Sequence, residues 1–173
     1  MRLGCFPGSF DPPTHAHLSI ARLAIAQHGL DRLDFVISRT PLAKAAQRQV
    51  AVEDRRRLLI DVLADDHRFG VVITDHQLIV DLAAGYDLVV MGADKWAQIH
   101  DPAFYDNDPA VRDAAVLRLP RAAVVDRPPH PTPAEFRLDV GSAGTDLHDV
   151  SSTAARTDRP EQMVERARAS GWW

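Results

Sequence analysis

Short runs of β-branched and aromatic residues alternate with helical patterns along most of this chain, and that alternation restricts the fold more than any other feature. The runs fall at 3–6, 33–38, 70–74, 87–91, 122–125 and 136–140, and each is expected to be a strand. Helical patterns lie between them at 18–27, stopped by Gly29, at 52–64, and at 77–84, closed by Gly85. Runs such as Leu88-Val89-Val90-Met91 lack a polar alternate, as suits strands buried on both faces. The expectation is an α/β fold, a doubly wound parallel sheet with helices on both sides, in which residues 1–173 form one domain.

Composition narrows the function classes. Of 173 residues 46% are hydrophobic, enough for one substantial core. A formal net charge of -4, from 20 Lys+Arg against 24 Asp+Glu, argues against nucleic acid as a partner while allowing a local basic pocket. The single cysteine, Cys5, allows no intrachain disulfide and reads as a small buried hydrophobe in a reducing compartment. Neither a secretory leader nor a membrane-spanning run is apparent, so a cytoplasmic protein without a membrane partner is expected. The Pro-rich piece at 127–133 reads as a surface loop, and the chain is compatible with a homo-oligomer.

In doubly wound sheets ligands bind beyond the carboxyl ends of the strands, which directs attention to the loops there. After the first run comes Pro7-Gly8-Ser9-Phe10-Asp11-Pro12-Pro13-Thr14-His15-Ala16-His17-Leu18. Gly8 permits close backbone approach, the prolines stiffen the turn, and Thr14 is placed to cap a helix whose first turn holds His17. Amide hydrogens at a helix start, with an imidazole beside them, suit a phosphate. The segment has neither the P-loop spacing nor that of a GxGxxG turn. His15-x-His17 has no further ligand at metal spacing, so no protein metal site is expected.

This segment resembles the (H/T)xGH signature of the nucleotidylyltransferase superfamily, whose adenylyltransferases carry GxFDPxTxGH after the first strand. Thr14 and His17 match its first and last positions, and Ala16 stands where the motif has glycine. Near the other end Ser151-Ser152-Thr153-Ala154-Ala155-Arg156 is similar to the ISSTxxR element of nicotinate and nicotinamide mononucleotide adenylyltransferases, ahead of a helix expected to enter at 158–161. Gly92-Ala93-Asp94 resembles the element that recognises nucleoside ribose in the same family.

The resemblance implies a Rossmann-like fold and transfer of AMP from Mg-ATP to a small phosphorylated acceptor. It assigns Gly8, Ser9, Phe10, Thr14, His17, Gly92, Asp94, Ser151, Ser152, Thr153 and Arg156 to ATP, and His17, Thr14 and Lys44 to catalysis. Ser9, Arg39, Lys44 and Trp96 are the candidates for the acceptor. Most of the arginines in 55–57 read as a solvated helix face. The chemistry is consistent with the residue types: the acceptor's phosphate is already an anionic nucleophile, so no catalytic Cys or Ser-His-Asp set is needed. Two alternatives stand beside a nicotinate or nicotinamide mononucleotide acceptor. Gly8 to Thr14 also looks like pantetheine phosphate adenylyltransferase, and Ala16 is compatible with a nucleotide-binding module that has lost turnover.

Overall fold

The computed structural model describes residues 1–40, 50–141 and 152–173. Its centre is a parallel sheet of β1 (Leu3–Pro7), β2 (Arg32–Ser38), β3 (Phe69–Thr74), β4 (Leu88–Gly92) and β5 (Arg121–Val125), in the order β3-β2-β1-β4-β5. The helices are α1 (His15–His28), α2 (Val52–Val62), α3 (Ile79–Leu82), α4 (Ala93–Ile99), α5 (Pro109–Val116), α6 (Ser152–Thr157) and α7 (Glu165–Ser170). None of them is long and apolar enough to cross a membrane.

Side chains alternate between two cores, as a strand's period of two requires. Leu33, Phe35 and Ile37 of β2 join Leu88 and Val90 of β4 on the face that also packs Ile20, Ala24 and Leu59. Val36, Val89, Met91 and Val124 face the opposite way, with Leu82, Ala93 and Ile99. Burying a side chain such as Phe35 fully is worth about 1.5–3 kcal/mol. Cys5 is buried in the second core, where desolvation drives its thiol well above the ordinary range and makes it inert.

The order reverses between β1 and β4, which is where such sheets open a crevice. β1 runs beside β2 in register from Leu3–Arg32 to Pro7–Val36, but meets β4 only at Gly4–Leu88 and Cys5–Val89. The carboxyl halves of β1 and β4 therefore lie alongside a gap.

Local chemistry sets the ends of α1. Thr14 accepts from the backbone of His17, and the His17 ring reaches back to the Thr14 backbone, so a histidine completes the capping box where Glu or Gln is usual. Gly29, at φ 60, closes the helix with its N–H on the Ile25 carbonyl.

Two expectations are corrected, and two helices come as additions. No sixth strand forms at 136–140: a short turn at Ala134–Phe136 leads to one bridge between Arg137 and Val124. Beyond it the Gln27 amide binds both the N–H and the carbonyl of Asp139, taking the place of a strand partner. The helix expected at 158–161 instead starts earlier, at Ser152, and Pro160–Gln162 is a single turn before α7. Finally, α4 and α5 were not legible as helices, although Pro109 behind the capping Asp108 is a start signal.

Candidate active site

A cleft of about 200 Å³ lies at the β1/β4 crevice. Pro7, Gly8, Ser9 and Phe10 line one side, with His17 and Ile20 from α1. Met91, Gly92, Asp94 and Lys95 line the other, with Val125 and Arg127 beyond β5, and Ser152 and Thr153 of α6 close a third side. Two sequence segments separated by most of the chain therefore meet on one cavity.

The first loop is shaped from outside. Phe10 has φ 46, a left-handed backbone costly for an aromatic residue, and is held there by its ring, packed at 5.1 Å from both Phe35 and His17 and 5.6 Å from Phe6. Gly8 makes room for that ring, since a Cβ there would lie 2.7 Å from Phe10 Cζ. Four carbonyls of the loop accept from distant segments. Arg55 donates to Ser9, Arg156 to Asp11, the Ser152 hydroxyl to Pro12 at 2.8 Å, and the Val164 N–H to Pro13 at 3.2 Å. Carbonyl oxygens repel an anion, so turning them toward these donors leaves the cleft side suited to phosphate.

His17 is oriented by the same cap. The Thr14 N–H donates to Nδ1 at 3.0 Å, which makes Nδ1 an acceptor and puts the proton of the neutral ring on Nε2. The Thr14 hydroxyl lies 2.9 Å from the same nitrogen. Thr14 is thus buried beneath the histidine and fixes its tautomer; it does not itself line the cleft. Ala16 is 3% exposed and packed in the first core, so the methyl replacing the motif glycine is absorbed by that core.

On the opposite wall Gly92 is the N-cap of α4 and Asp94 lies within its first turn. A Cβ on Gly92 would come 2.6 Å from Asp94 Oδ1, so glycine lets the carboxylate fold back over the backbone. Arg127 Nε is 3.9 Å from the same oxygen, and Lys95 Nζ donates to Gln98 at 2.8 Å. Lys95 and Arg127 are cleft residues that sequence reasoning missed. The signal for Arg127 was its place just after a strand, at the sheet edge that holds the other site loops.

Other candidates lie elsewhere. Arg156 stands behind the cleft, 3.7 Å from the Asp11 carboxylate and 3.5 Å from Thr153 Oγ1. Arg39 pairs with Glu53 and, at 3.5 Å, with Asp75. Trp96 packs on His100 at 4.5 Å and Phe136 at 4.8 Å in the second core, away from the cleft lining. Lys44 and Ser151 lie outside the described residues. One residue of the supposed solvated arginine run is corrected: Arg55 is 3% exposed and donates to Val50 and Ser9, while burial lowers its pKa against the pull of Asp11 and Glu53.

A parallel sheet with an anion-ready loop and helix start at its switch point, and two hydroxyl residues closing the cleft, is an α/β arrangement suited to holding a nucleotide's phosphates. Residues 5–158 match the family model described as cytidylyltransferase-like. A probable nicotinate-nucleotide adenylyltransferase of Solibacter usitatus is 32% identical over 154 residues, 80% of this chain and 78% of that protein. One from Rhizobium etli (strain CIAT 652) is 32% identical over 143 residues, 74% of this chain and 68% of that protein. Another from Chlorobaculum tepidum reaches 40% over 71 residues, 41% of this chain and 35% of that protein. The chain belongs to the cytidylyltransferase-like family.

Proposed function

We propose that this protein transfers AMP from Mg-ATP to the phosphate of nicotinate mononucleotide, releasing pyrophosphate. The observation that carries the reading is the meeting of His17 with Ser152 and Thr153 on one cleft at the sheet's switch point. An acceptor phosphate oxygen attacks the α-phosphorus of ATP, the bond from that phosphorus to the bridging oxygen breaks, and pyrophosphate leaves. His17 Nε2–H donates to an oxygen of the phosphate under attack, while Thr14 holds the ring in the tautomer able to do so. Thr153, Ser151 and the α6 start take the β and γ groups, with Ser152 and Arg156 bracing them against the first loop. Asp94 accepts from ribose hydroxyls, and Lys44 bridges donor and acceptor.

Among the described residues no three His, Cys, Asp or Glu side chains cluster as a metal cage. Mg2+ keeps several waters and is carried by substrate phosphates, so the proposal asks for no cage of protein ligands. When bound it would neutralise charge on the triphosphate.

Lys95 and Arg127 against the single carboxylate of Asp94 give the second wall a positive balance. A nicotinate acceptor carries a carboxylate that its amide counterpart lacks, so this wall favours nicotinate mononucleotide, the substrate class in the relatives' names. Reading residues 1–173 as one catalytic unit is part of the proposal, supported by the reach of Trp173 back to Asp11; a cytoplasmic location is proposed with it.

The test is pyrophosphate release with Mg-ATP against nicotinate mononucleotide, nicotinamide mononucleotide and phosphopantetheine. The expected result is turnover with the nicotinate acceptor and a kcat/KM for the nicotinamide one lower by about tenfold or more, the worth of one interfacial charge contact. Preference for phosphopantetheine would move the protein to the pantetheine branch, which the first loop's sequence also resembles. ATP binding without pyrophosphate from any acceptor would make it a nucleotide-binding module.

A further inference from the structure

Asp11 is 1% exposed, and a buried carboxylate needs donors around it. Those donors come from far along the chain. The Trp173 indole N–H donates to Asp11 Oδ1 at 2.6 Å, Arg156 Nη1 lies 3.7 Å from Oδ2, and the Asp11 charge supports the buried Arg55 guanidinium. Neither Asp11 nor Trp173 lines the cleft. Trp173 is itself anchored, packing on the cluster of Leu58, Ala155, Met163, Val164 and Ala167.

We infer that Trp173 is a positioning residue for adenylyl transfer, its indole N–H fixing the Asp11 carboxylate and through it the loop that receives the ATP phosphates. The inference rests on the adenylyltransferase reading. An indole N–H is a neutral donor, so it satisfies Oδ1 without adding a charge that would compete for the arginines. Without it the carboxylate would turn further onto Arg156, which also donates to the Asp11 carbonyl and reaches Thr153. Phe10, immediately before Asp11, holds a left-handed backbone that persists only while its neighbours fix it. A lost clamp at Asp11 therefore reaches the cleft through both Phe10 and Thr153.

The test compares Trp173→Phe, which keeps an aromatic ring and loses the donor, with Trp172→Phe as control. Trp172 is 45% exposed; its ring lies 5.8 Å from that of Trp173 and its backbone N–H donates to the Ser170 hydroxyl. In pyrophosphate release with both substrates varied, Trp173→Phe is expected to raise KM for ATP about tenfold, as for loss of one hydrogen bond to a charged group. KM for the acceptor should stay within about twofold and Trp172→Phe should match wild type. Amides of 8–14 should exchange with deuterium faster in Trp173→Phe alone. Unchanged exchange there, or an equal rise in both KM values, would overturn the inference. Wild-type protein that releases no pyrophosphate with any acceptor would instead sink the adenylyltransferase reading, and the exchange measurement would still decide whether Trp173 clamps the loop.

Discussion

The two long walls of the cleft are built in opposite ways. The first-loop wall is tied from behind by Arg55 of α2, Ser152 and Arg156 of α6, Val164 before α7, and Trp173 beyond it. The wall at the ends of β4 and β5 presents charged groups instead: Asp94 and Arg127 stand 3.9 Å apart, and Lys95 donates to its helix neighbour Gln98. A triphosphate presents the same charges in every turnover and rewards a rigid receptor, because donors already in place need no reorganisation as charge develops. Nicotinate and nicotinamide acceptors differ in charge, and a wall carrying Asp94, Lys95 and Arg127 is suited to answer that difference. Under the proposed function the first wall serves the donor and the second the acceptor.

That contrast is open to attack by substitution. His17→Ala should be the most damaging, lowering kcat by on the order of a hundredfold or more, as for a lost donor aimed at developing charge worth about 3 kcal/mol. Near-normal turnover would remove the first wall from catalysis. Arg55→Met keeps bulk but leaves two carbonyls, Val50 and Ser9, without their donor, and leaves Asp11 with Arg156 but without the support of Arg55. Urea unfolding should show a loss of about 2–3 kcal/mol, where a solvated arginine would show almost none. Arg127→Met should raise KM for the nicotinate acceptor about tenfold and leave KM for ATP alone, and a matching rise for ATP would erase the division between the walls.

The smallest effect lies at the other edge of the sheet. Burial, with Arg121 and Arg2 nearby, holds the His28 pKa below its ordinary value. The folded state thus disfavours the imidazolium, so its contribution to stability is present above the ordinary histidine pKa and is lost as pH falls through the depressed one. Tm should dip slightly on acidification below about pH 6.5; His28→Gln should flatten that dip without touching either KM.

What could be read from the sequence was what short-range chemistry decides. Thr14 capping His17, Gly29 ending α1 and the apolar runs of β1 to β5 each depend on residues a few positions apart. Arg127 was hidden because its loop looks like any Pro-rich surface segment until β5 is seen to lie beside β4. Arg55 was closer to legible, since it shares a helical face with Leu58, Leu59 and Val62, yet a run of three arginines suggested solvent. Trp173 could not have been placed at all: its partner Asp11 is brought to it only by the completed fold.

The central claim is that the two sequence-distant segments grip one triphosphate. A double-mutant cycle on ATP affinity tests it most directly, using His17→Ala and Thr153→Val, whose hydroxyl oxygen accepts from Arg156 and keeps its own proton to donate. If both side chains hold the same ligand, the losses should couple by about 1 kcal/mol or more. Strictly additive losses, or affinity unchanged in either single variant, would contradict the account.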